Sequence, residues 1–279
     1  MIKEVEGIVS IALQEDIRNG DITTQAVFSG NERTSGNFLA KESGIIAGIE
    51  LAGYIFTTID PDITFKQLIK DGGKVSKGDL IAEVSGPSDS ILTGERTVLN
   101  FMQRMSGVAT KTRVFADAIS HTNTKLLDTR KTLPGHRYLD KWAVRLGGGK
   151  NHRYCLDDMY LVKENHIKVA GGVKEAIQKC IEHKQLNGNE WKIEVEVTNM
   201  DELKDAISTE SIDMVLLDNM DINMLVEAVE MVAGAVETEA SGNMTLDRIP
   251  KVAETGVDYI SVGALTHSVK ALDISLLFD

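Results

Sequence analysis

The densest chemistry in the 279-residue chain lies between residues 128 and 153, where Arg130, Lys131, Arg137, Lys141, Arg145, Lys150 and Arg153 face only Asp128 and Asp140. His136 and His152 fall in the same stretch, and the chain as a whole carries a net charge of −12. A basic island in an acidic protein has two readings. It is a solvated face, which accounts for Lys141 and Lys150, or it is an anion site, because arginine forks match carboxylate and phosphate geometry. Gly147, Gly148 and Gly149 in its middle would let backbone approach a ligand closely. A second group is the pair Glu194 and Glu196 in IEVEV. Period-two alternation puts both carboxylates on one face of a strand and the valines on the other. Turned inward, they need a cation or Mg²⁺ beside them. A third group is SGN at 241–243 and VGA at 262–264, small residues whose free backbone N–H groups suit a phosphate. His152 and His166 are candidate acids or bases, and more economically groups that hydrogen-bond or orient a ligand. No Ser-His-Asp order, reactive-cysteine setting or HExxH motif accompanies them.

These residues recur at the ends of regularly spaced apolar segments. Short apolar strands are expected at 125–128, 159–163, 193–197, 214–218, 236–240 and 259–263. Helical patterns fall at 173–183, 200–207, 222–232 and 246–254. Alternating strand and helix implies a parallel sheet, and six such units fit an α/β barrel, perhaps incomplete, more readily than an open sheet lacking any GxGxxG or P-loop. In such barrels the C-terminal strand ends carry the site. Here those ends are Asp128-Thr129-Arg130-Lys131, Lys163, Glu196, Asp218, Ser241-Gly242-Asn243 and Val262-Gly263-Ala264. Polar residues at one strand end mean little; a full set of them describes a cavity for a polyanion, with carboxylates suited to Mg²⁺ and a phosphate-binding end.

The first third of the chain differs. Residues 1–30 open with a short amphipathic helix (Val5, Ile8, Val9, Leu13). β-prone runs GNFLAKE, IIAGIE and LIAEVSG separated by glycine turns read as a small α+β domain. A long helical stretch follows at 89–119, with a break expected at Ser106-Gly107. Apolar residues make up 42% of the chain and charged ones 26%, as in an ordinary globular protein. The excess of 42 acidic over 30 basic residues argues against nucleic acid or anionic membrane as a partner. Two cysteines, Cys155 and Cys180, in no paired motif imply a reducing compartment. With no apolar run of membrane-spanning length and no secretory leader pattern, a cytoplasmic protein is expected.

At these residues the sequence resembles the quinolinate phosphoribosyltransferases (nicotinate-nucleotide pyrophosphorylase, carboxylating). The resemblance is carried by ALQEDIRNGDITT, GERTVLNFMQRMSGVAT, the run DTRKTLPGHRYLDKWAVRLGGGKNHRYCLDDMYLVKENHI, and EVEV, VLLDN, EASGN and TGVDYISVGALTHS. These occur in family order from residue 12 to 268. The resemblance implies that quinolinate and phosphoribosyl pyrophosphate give nicotinate mononucleotide, pyrophosphate and CO₂ with Mg²⁺, a step of de novo NAD biosynthesis. It implies an N-terminal sandwich (1–105), an incomplete barrel (106–267) and a tail (268–279) packing back on the first domain. It implies a homodimer, or a higher even oligomer, in which Arg96 reaches the partner's site. Arg130, His152, Arg153 and Lys163 would line the dicarboxylate pocket, with Thr129 beside them. Lys131 would lie toward the pyrophosphate, Glu196 and Asp218 at the ribose and Mg²⁺ region, and Ser241, Gly242, Asn243, Val262, Gly263 and Ala264 at the phosphate. Lys131, Glu196 and Asp218 are the expected catalytic residues.

One departure from the family pattern is Tyr154-Cys155, where a small residue such as glycine is expected at the second position; Cys155 is read as a packed small residue. Three other readings are set against the first. They are a related barrel using another pyridine or a molybdenum-associated ligand, a Schiff-base aldolase built on Lys163, and a non-catalytic metabolite sensor. The complete set of ionic residues argues against the sensor.

Overall fold

The computed structural model describes residues 2–278 and divides into two compact units. The first comprises the residues up to 113, then 132–148 and those from 265 on. It begins with α1 (Ile2–Ile17), whose Val5 and Val9 are buried as the amphipathic pattern requires. The turn after it is capped: the Asp21 carboxylate accepts the backbone N–H groups of Thr23 and Thr24, both at 3.0 Å, and starts α2 (Ile22–Val27). There follow β1 (Arg33–Ala40), β2 (Gly44–Ile45), α3 (Ile49–Ile59), β3 (Thr64–Gln67), β4 (Lys74–Val75) and β5 (Leu80–Pro87). Of the apolar run IIAGIE, expected as strand, only Ile45 falls in β2, and Ile49 and Glu50 already belong to α3. Asp71 fixes that start by accepting the Ile49 N–H at 3.1 Å. Phe38 on β1, Phe56 on α3 and Phe65 on β3 form an aromatic cluster with centroids 5.7 to 6.2 Å apart.

Next comes α4 (Ser88–Ala118), a single helix of 31 residues. The break expected at Ser106-Gly107 does not occur, because both small residues serve packing. The Ser106 hydroxyl accepts the Ala47 N–H at 2.9 Å and donates to the Ala47 carbonyl at 3.2 Å. A Cβ at Gly107 would collide with the Lys270 carbonyl.

The second unit, 114–131 and 149–264, holds the parallel sheet. Its strands are introduced in chain order with the helices between them. They are β6 (Lys125–Leu127), α5 (Arg137–Leu146, which clusters with the first unit), β7 (Tyr160–Val162), α6 (Glu164–Ala170), α7 (Val173–Asn187), β8 (Ile193–Val197), α8 (Met200–Ile207), β9 (Met214–Asp218), α9 (Ile222–Val232), β10 (Glu237–Ser241), α10 (Ile249–Ala253) and β11 (Tyr259–Ser261). The strand order is β6-β11-β10-β9-β8-β7, every pair parallel. The first strand therefore pairs with the last, as in a ring, while β6 and β7 share no ladder. This is the incomplete barrel expected from the sequence. Val195, Val197, Val215 and Leu217 are fully buried on the outer face, as are Leu203 and Ala206 of α8. Glu194 and Glu196 thus point inward.

The chain closes with α11 (Ala264–His267) and β12 (Ile274–Phe278). β12 pairs antiparallel with β1 and completes the sheet β12-β1-β5-β3 of the first unit. No helix among the described residues is long and apolar enough to cross a membrane.

The packing account of α4 makes a prediction. Gly107→Ala should destabilise by about 1–3 kcal/mol through overpacking against the 269–271 backbone. Gly7→Ala on α1, with nothing within 4 Å of the added methyl, should be neutral or slightly stabilising. Melting temperatures of the two variants check the contrast; equal shifts would contradict it.

Candidate active site

The strand ends converge on a cavity of about 630 Å³ in the second unit. Ladder register explains the convergence. Leu161 and the following Lys163 stand beside Glu194 and Glu196, and Glu196 pairs in register with Leu216, as does Glu239. One layer further out, Ser241 is in register with Asp218. Period two then turns Lys163, Glu196, Asp218, Glu239, Ser241 and Ser261 to one side, and all six line the cavity. Thr129, Arg130 and Lys131 join them from the end of β6, and His152 and Arg153 from the loop before β7.

That loop is fixed by Asp128, which is fully buried. Its carboxylate accepts the Asn151 side-chain amide at 2.6 Å and the His152 N–H at 2.8 Å. A backbone pair, Asp128 N–H to Lys150 and Lys150 N–H to Leu126, lays the segment along β6. The Thr129 hydroxyl accepts the Lys131 N–H at 3.0 Å and shapes the turn that presents Arg130 and Lys131. Arg153 donates to the Met159 carbonyl at 3.2 Å. Burial, and then the Arg130 guanidinium nearby, hold the Arg153 pKa below its ordinary value. Two like charges are thus pressed toward each other, an arrangement an anion relieves.

The floor of the cavity is a buried cluster. His152 Nε2 lies 3.0 Å from Glu194 and 3.3 Å from Glu239, on strands separated by β9, so the sheet curls around the ring. The carboxylate oxygens of both glutamates are sealed from solvent. Burial disfavours protonation of His152, but hydrogen bonds and charge from Glu194 and Glu239 prevail and raise its value to about 10. Burial and the Glu239 charge push the Glu194 carboxyl upward as well. His152 Nδ1 accepts the Arg153 N–H at 2.7 Å, which opposes a second proton on the ring. The titration therefore belongs to the three groups together.

Lys163 forms an ion pair with Glu196 at 3.3 Å, its side chain half exposed at the mouth. His166 holds its backbone: Nδ1 accepts the Lys163 N–H at 3.0 Å, and the His166 N–H returns to the Lys163 carbonyl at 2.8 Å. Of the two roles open to His166, the geometry is that of an orienting group. Glu196 and Asp218 offer hard oxygen donors two residues apart along neighbouring strands. They are too few for an all-protein cage, and they suit Mg²⁺ held jointly with substrate phosphates.

The 241–243 turn reaches the cavity, whereas Val262 is buried and Gly263 and Ala264 are not among the lining residues; Ser261, absent from the expected set, takes that place. Ser261 donates to the Ser241 hydroxyl at 3.0 Å. Arg96 lies exposed on α4 in the other unit.

Three expectations for the 141–155 region need correction. Lys141 is 1% exposed and belongs to α5, so it is not a solvated charge. Gly147 faces the Ala109 carbonyl and Thr112, leaving no room for a Cβ, and so serves helix packing. Cys155 is not packed in a core; it is half exposed, and its thiol donates to the Asp157 carboxylate at 2.7 Å, which raises the thiol pKa. Sequence reasoning missed Asn219, Glu239 and Ser261, and it named Asp128 only as a strand end and not as the buried anchor of the 151–153 loop. Glu239 was accessible to the same alternation that singled out Glu194, since ETEAS places Glu237, Glu239 and Ser241 on one face.

The chain is similar to known proteins over nearly its whole length. The family models described as quinolinate phosphoribosyl transferase, N-terminal and C-terminal domain, match residues 21–106 and 108–277. A tobacco (Nicotiana tabacum) protein named quinolinate phosphoribosyltransferase [decarboxylating] 1b is 46% identical, over 99% of this chain and 83% of its own. A probable nicotinate-nucleotide pyrophosphorylase [carboxylating] of Bacillus subtilis is 42% identical, over 94% of this chain and 89% of its own. Among solved structures, the nicotinate-nucleotide pyrophosphorylase of Francisella tularensis superposes with a TM-score of 0.94 at 44% identity. It covers 100% of this chain and 97% of that one.

The floor cluster sets a pH dependence. The folded-state value of about 10 for His152 exceeds the ordinary ~6.5, so the stabilisation is complete below pH ~6.5 and is lost as pH rises toward 10. Glu239→Gln removes one of the two carboxyl groups beside the ring and should make this loss shallower in melting curves between pH 6 and 10. Parallel curves for the variant and the wild type would contradict the assignment.

Proposed function

The chain belongs to the quinolinate phosphoribosyl transferase family, and on that premise we propose that it transfers phosphoribose from phosphoribosyl pyrophosphate to quinolinate. The reaction gives nicotinate mononucleotide, pyrophosphate and CO₂. The observation that carries the reading is the gathering of Arg130, Lys131, Arg153 and Lys163 around one cavity of an acidic protein. Quinolinate brings two carboxylates and phosphoribosyl pyrophosphate several more negative charges, so such a pair of substrates needs cations from several strand ends at once. The quinolinate named in the curated relatives favours this substrate over another pyridine or a molybdenum-associated ligand. Lys163 is engaged with Glu196 at 3.3 Å, a partner that a Schiff-base lysine would have to give up.

In this reading Arg130, Arg153, Lys163 and the His152 floor seat the dicarboxylate, and Thr129 holds the turn. Lys131 extends toward the pyrophosphate. Ser241, Gly242 and Asn243, with the 261–264 segment behind them, take the 5′-phosphate. Glu196 and Asp218 face the ribose and would hold Mg²⁺ together with the substrate's phosphates. That ion would supply charge neutralisation for the leaving pyrophosphate. The bond from the ribose C1 to pyrophosphate breaks, and the bond to the pyridine nitrogen forms through an oxocarbenium-like state. The protein's share is positioning and fixed charge more than proton transfer. The pyridinium nitrogen then accepts electron density as the neighbouring C–CO₂ bond breaks, and the ring carbon takes up a proton.

The working unit is a homodimer, or a higher even assembly, to which Arg96 contributes across the interface. Its exposure on α4 leaves it available for that contact. Two free cysteines fit a reducing compartment, and the reaction is assigned to the cytoplasm.

Incubation with quinolinate, phosphoribosyl pyrophosphate and Mg²⁺ should release pyrophosphate, and nicotinate in place of quinolinate should not. Release no greater than that of Lys131→Ala would refute the activity. For the shared site, Arg96→Ala and Lys131→Ala chains, each inactive, should regain activity when mixed. Verified mixed dimers without recovery would show that Arg96 acts within its own chain or not at all.

A further inference from the structure

The chain leaves two neighbouring barrel strands through turns that are costly for ordinary residues. Asn219, directly after β9, has φ 55°; Gly242 and Asn243, directly after β10, have φ 90° and 49°. Such left-handed conformations are uncommon outside glycine, and asparagine is the residue that best tolerates them. Two in adjacent turns imply that the surroundings hold them there.

Hydrogen bonds show what holds them. The Asn219 backbone N–H donates to the Ser241 carbonyl at 3.0 Å. Its side-chain Nδ2 donates to Asp218 Oδ2 at 2.7 Å, and its Oδ1 accepts from Asn243 Nδ2 at 2.9 Å. The Asn219 carboxamide also lies where a Cβ on Gly242 would fall, so only glycine fits opposite it. Arg248 clasps the same two turns from behind, donating to the Gly242 carbonyl at 3.0 Å and to the Met220 carbonyl at 2.6 Å.

The chemistry of the link is specific. Asp218 Oδ2 accepts from one side, and Asn243 presents its amide as donor on the other. The residue between them must donate on one side and accept on the other. A carboxamide does both. An aspartate at 219 would keep the size and much of the tolerance for positive φ, yet it would lose the donor and set a second negative charge against Asp218.

We propose that Asn219 is a positioning residue that ties the Asp218 carboxylate to the 241–243 turn. The ribose-facing and phosphate-facing parts of the cavity are thereby held at one spacing. The inference rests on the reading of this cavity as a phosphoribosyl pyrophosphate site. It assigns Asn219 to the sugar-phosphate substrate and not to the dicarboxylate, because among the described residues its side-chain and N–H bonds run to Asp218, Ser241 and Asn243.

Two variants test it, read by pyrophosphate release at saturating and limiting levels of each substrate, with melting temperatures alongside. Asn219→Gly keeps the backbone conformation and removes both side-chain bonds. Asn219→Asp keeps the bond from Asn243 and removes the donation to Asp218. Both should raise KM for phosphoribosyl pyrophosphate by about tenfold or more, as loss of a hydrogen bond to a charged group implies, with KM for quinolinate nearly unchanged. Unchanged KM values with a lowered melting temperature would overturn the proposal in favour of a purely structural link. An equal rise in both KM values would also overturn it. If the wild-type chain itself releases no pyrophosphate, the substrate reading fails first and this inference falls with it. A wild type that turns over beside variants of equal KM sinks the inference alone.

Discussion

Cations crowded on one side of a cavity repel one another, and much of the barrel's polar structure serves to keep them there. Arg130 is close enough to Arg153 to disfavour its charge. Arg153 cannot swing away, since the loop that bears it is pinned to buried Asp128 and its guanidinium donates to the Met159 carbonyl. Lys163 is held by Glu196 in front and His166 behind. A protein of net charge −12 has no shortage of acidic groups to neutralise these cations. Of those that line the pocket, Glu196 pairs with Lys163 and Asp218 accepts from Asn219.

The floor shows the cost of this arrangement. Two carboxylates sealed inside a barrel lose far more hydration than one imidazole restores, and a hydrophobic floor would stabilise the fold as well or better. What the cluster supplies is orientation. The His152 ring lies between strands β8 and β10, its Nε2 toward the carboxylates and its Nδ1 toward the Arg153 backbone. The ring therefore sets the direction in which Arg153 leaves the chain. Asn219 works at the rim in the same manner, through neutral hydrogen bonds.

Much of this was legible in the sequence because barrel strands obey a period of two. The segments at 193–197, 214–218, 200–207 and 222–232 coincide with β8, β9, α8 and α9. The inward direction of Glu194 and Glu196 followed from the valines between them. What was not legible depends on contacts far away in sequence. Ser106 and Gly107 look like a helix break until Ala47 and Lys270 are found against them. Gly147 looks like a ligand loop until Ala109 and Thr112 fill the space beside it. Lys141 reads as a surface charge because a lone lysine gives no sign of burial. Asn219 carried a faint signal, an asparagine directly after the acidic end of a strand, but only its positive φ and its two partners reveal its place.

The central claim is that the cations of the 128–163 region converge to bind a doubly negative pyridine and are not needed to hold the fold. Calorimetric titration of quinolinate against Arg153→Ala, paired with a melting curve of the same variant, tests it most directly. Loss of a charged hydrogen-bonding partner should weaken binding by about tenfold or more while the melting temperature changes little. A variant that binds quinolinate as tightly as the wild type, or that loses binding only in step with its stability, would contradict the account.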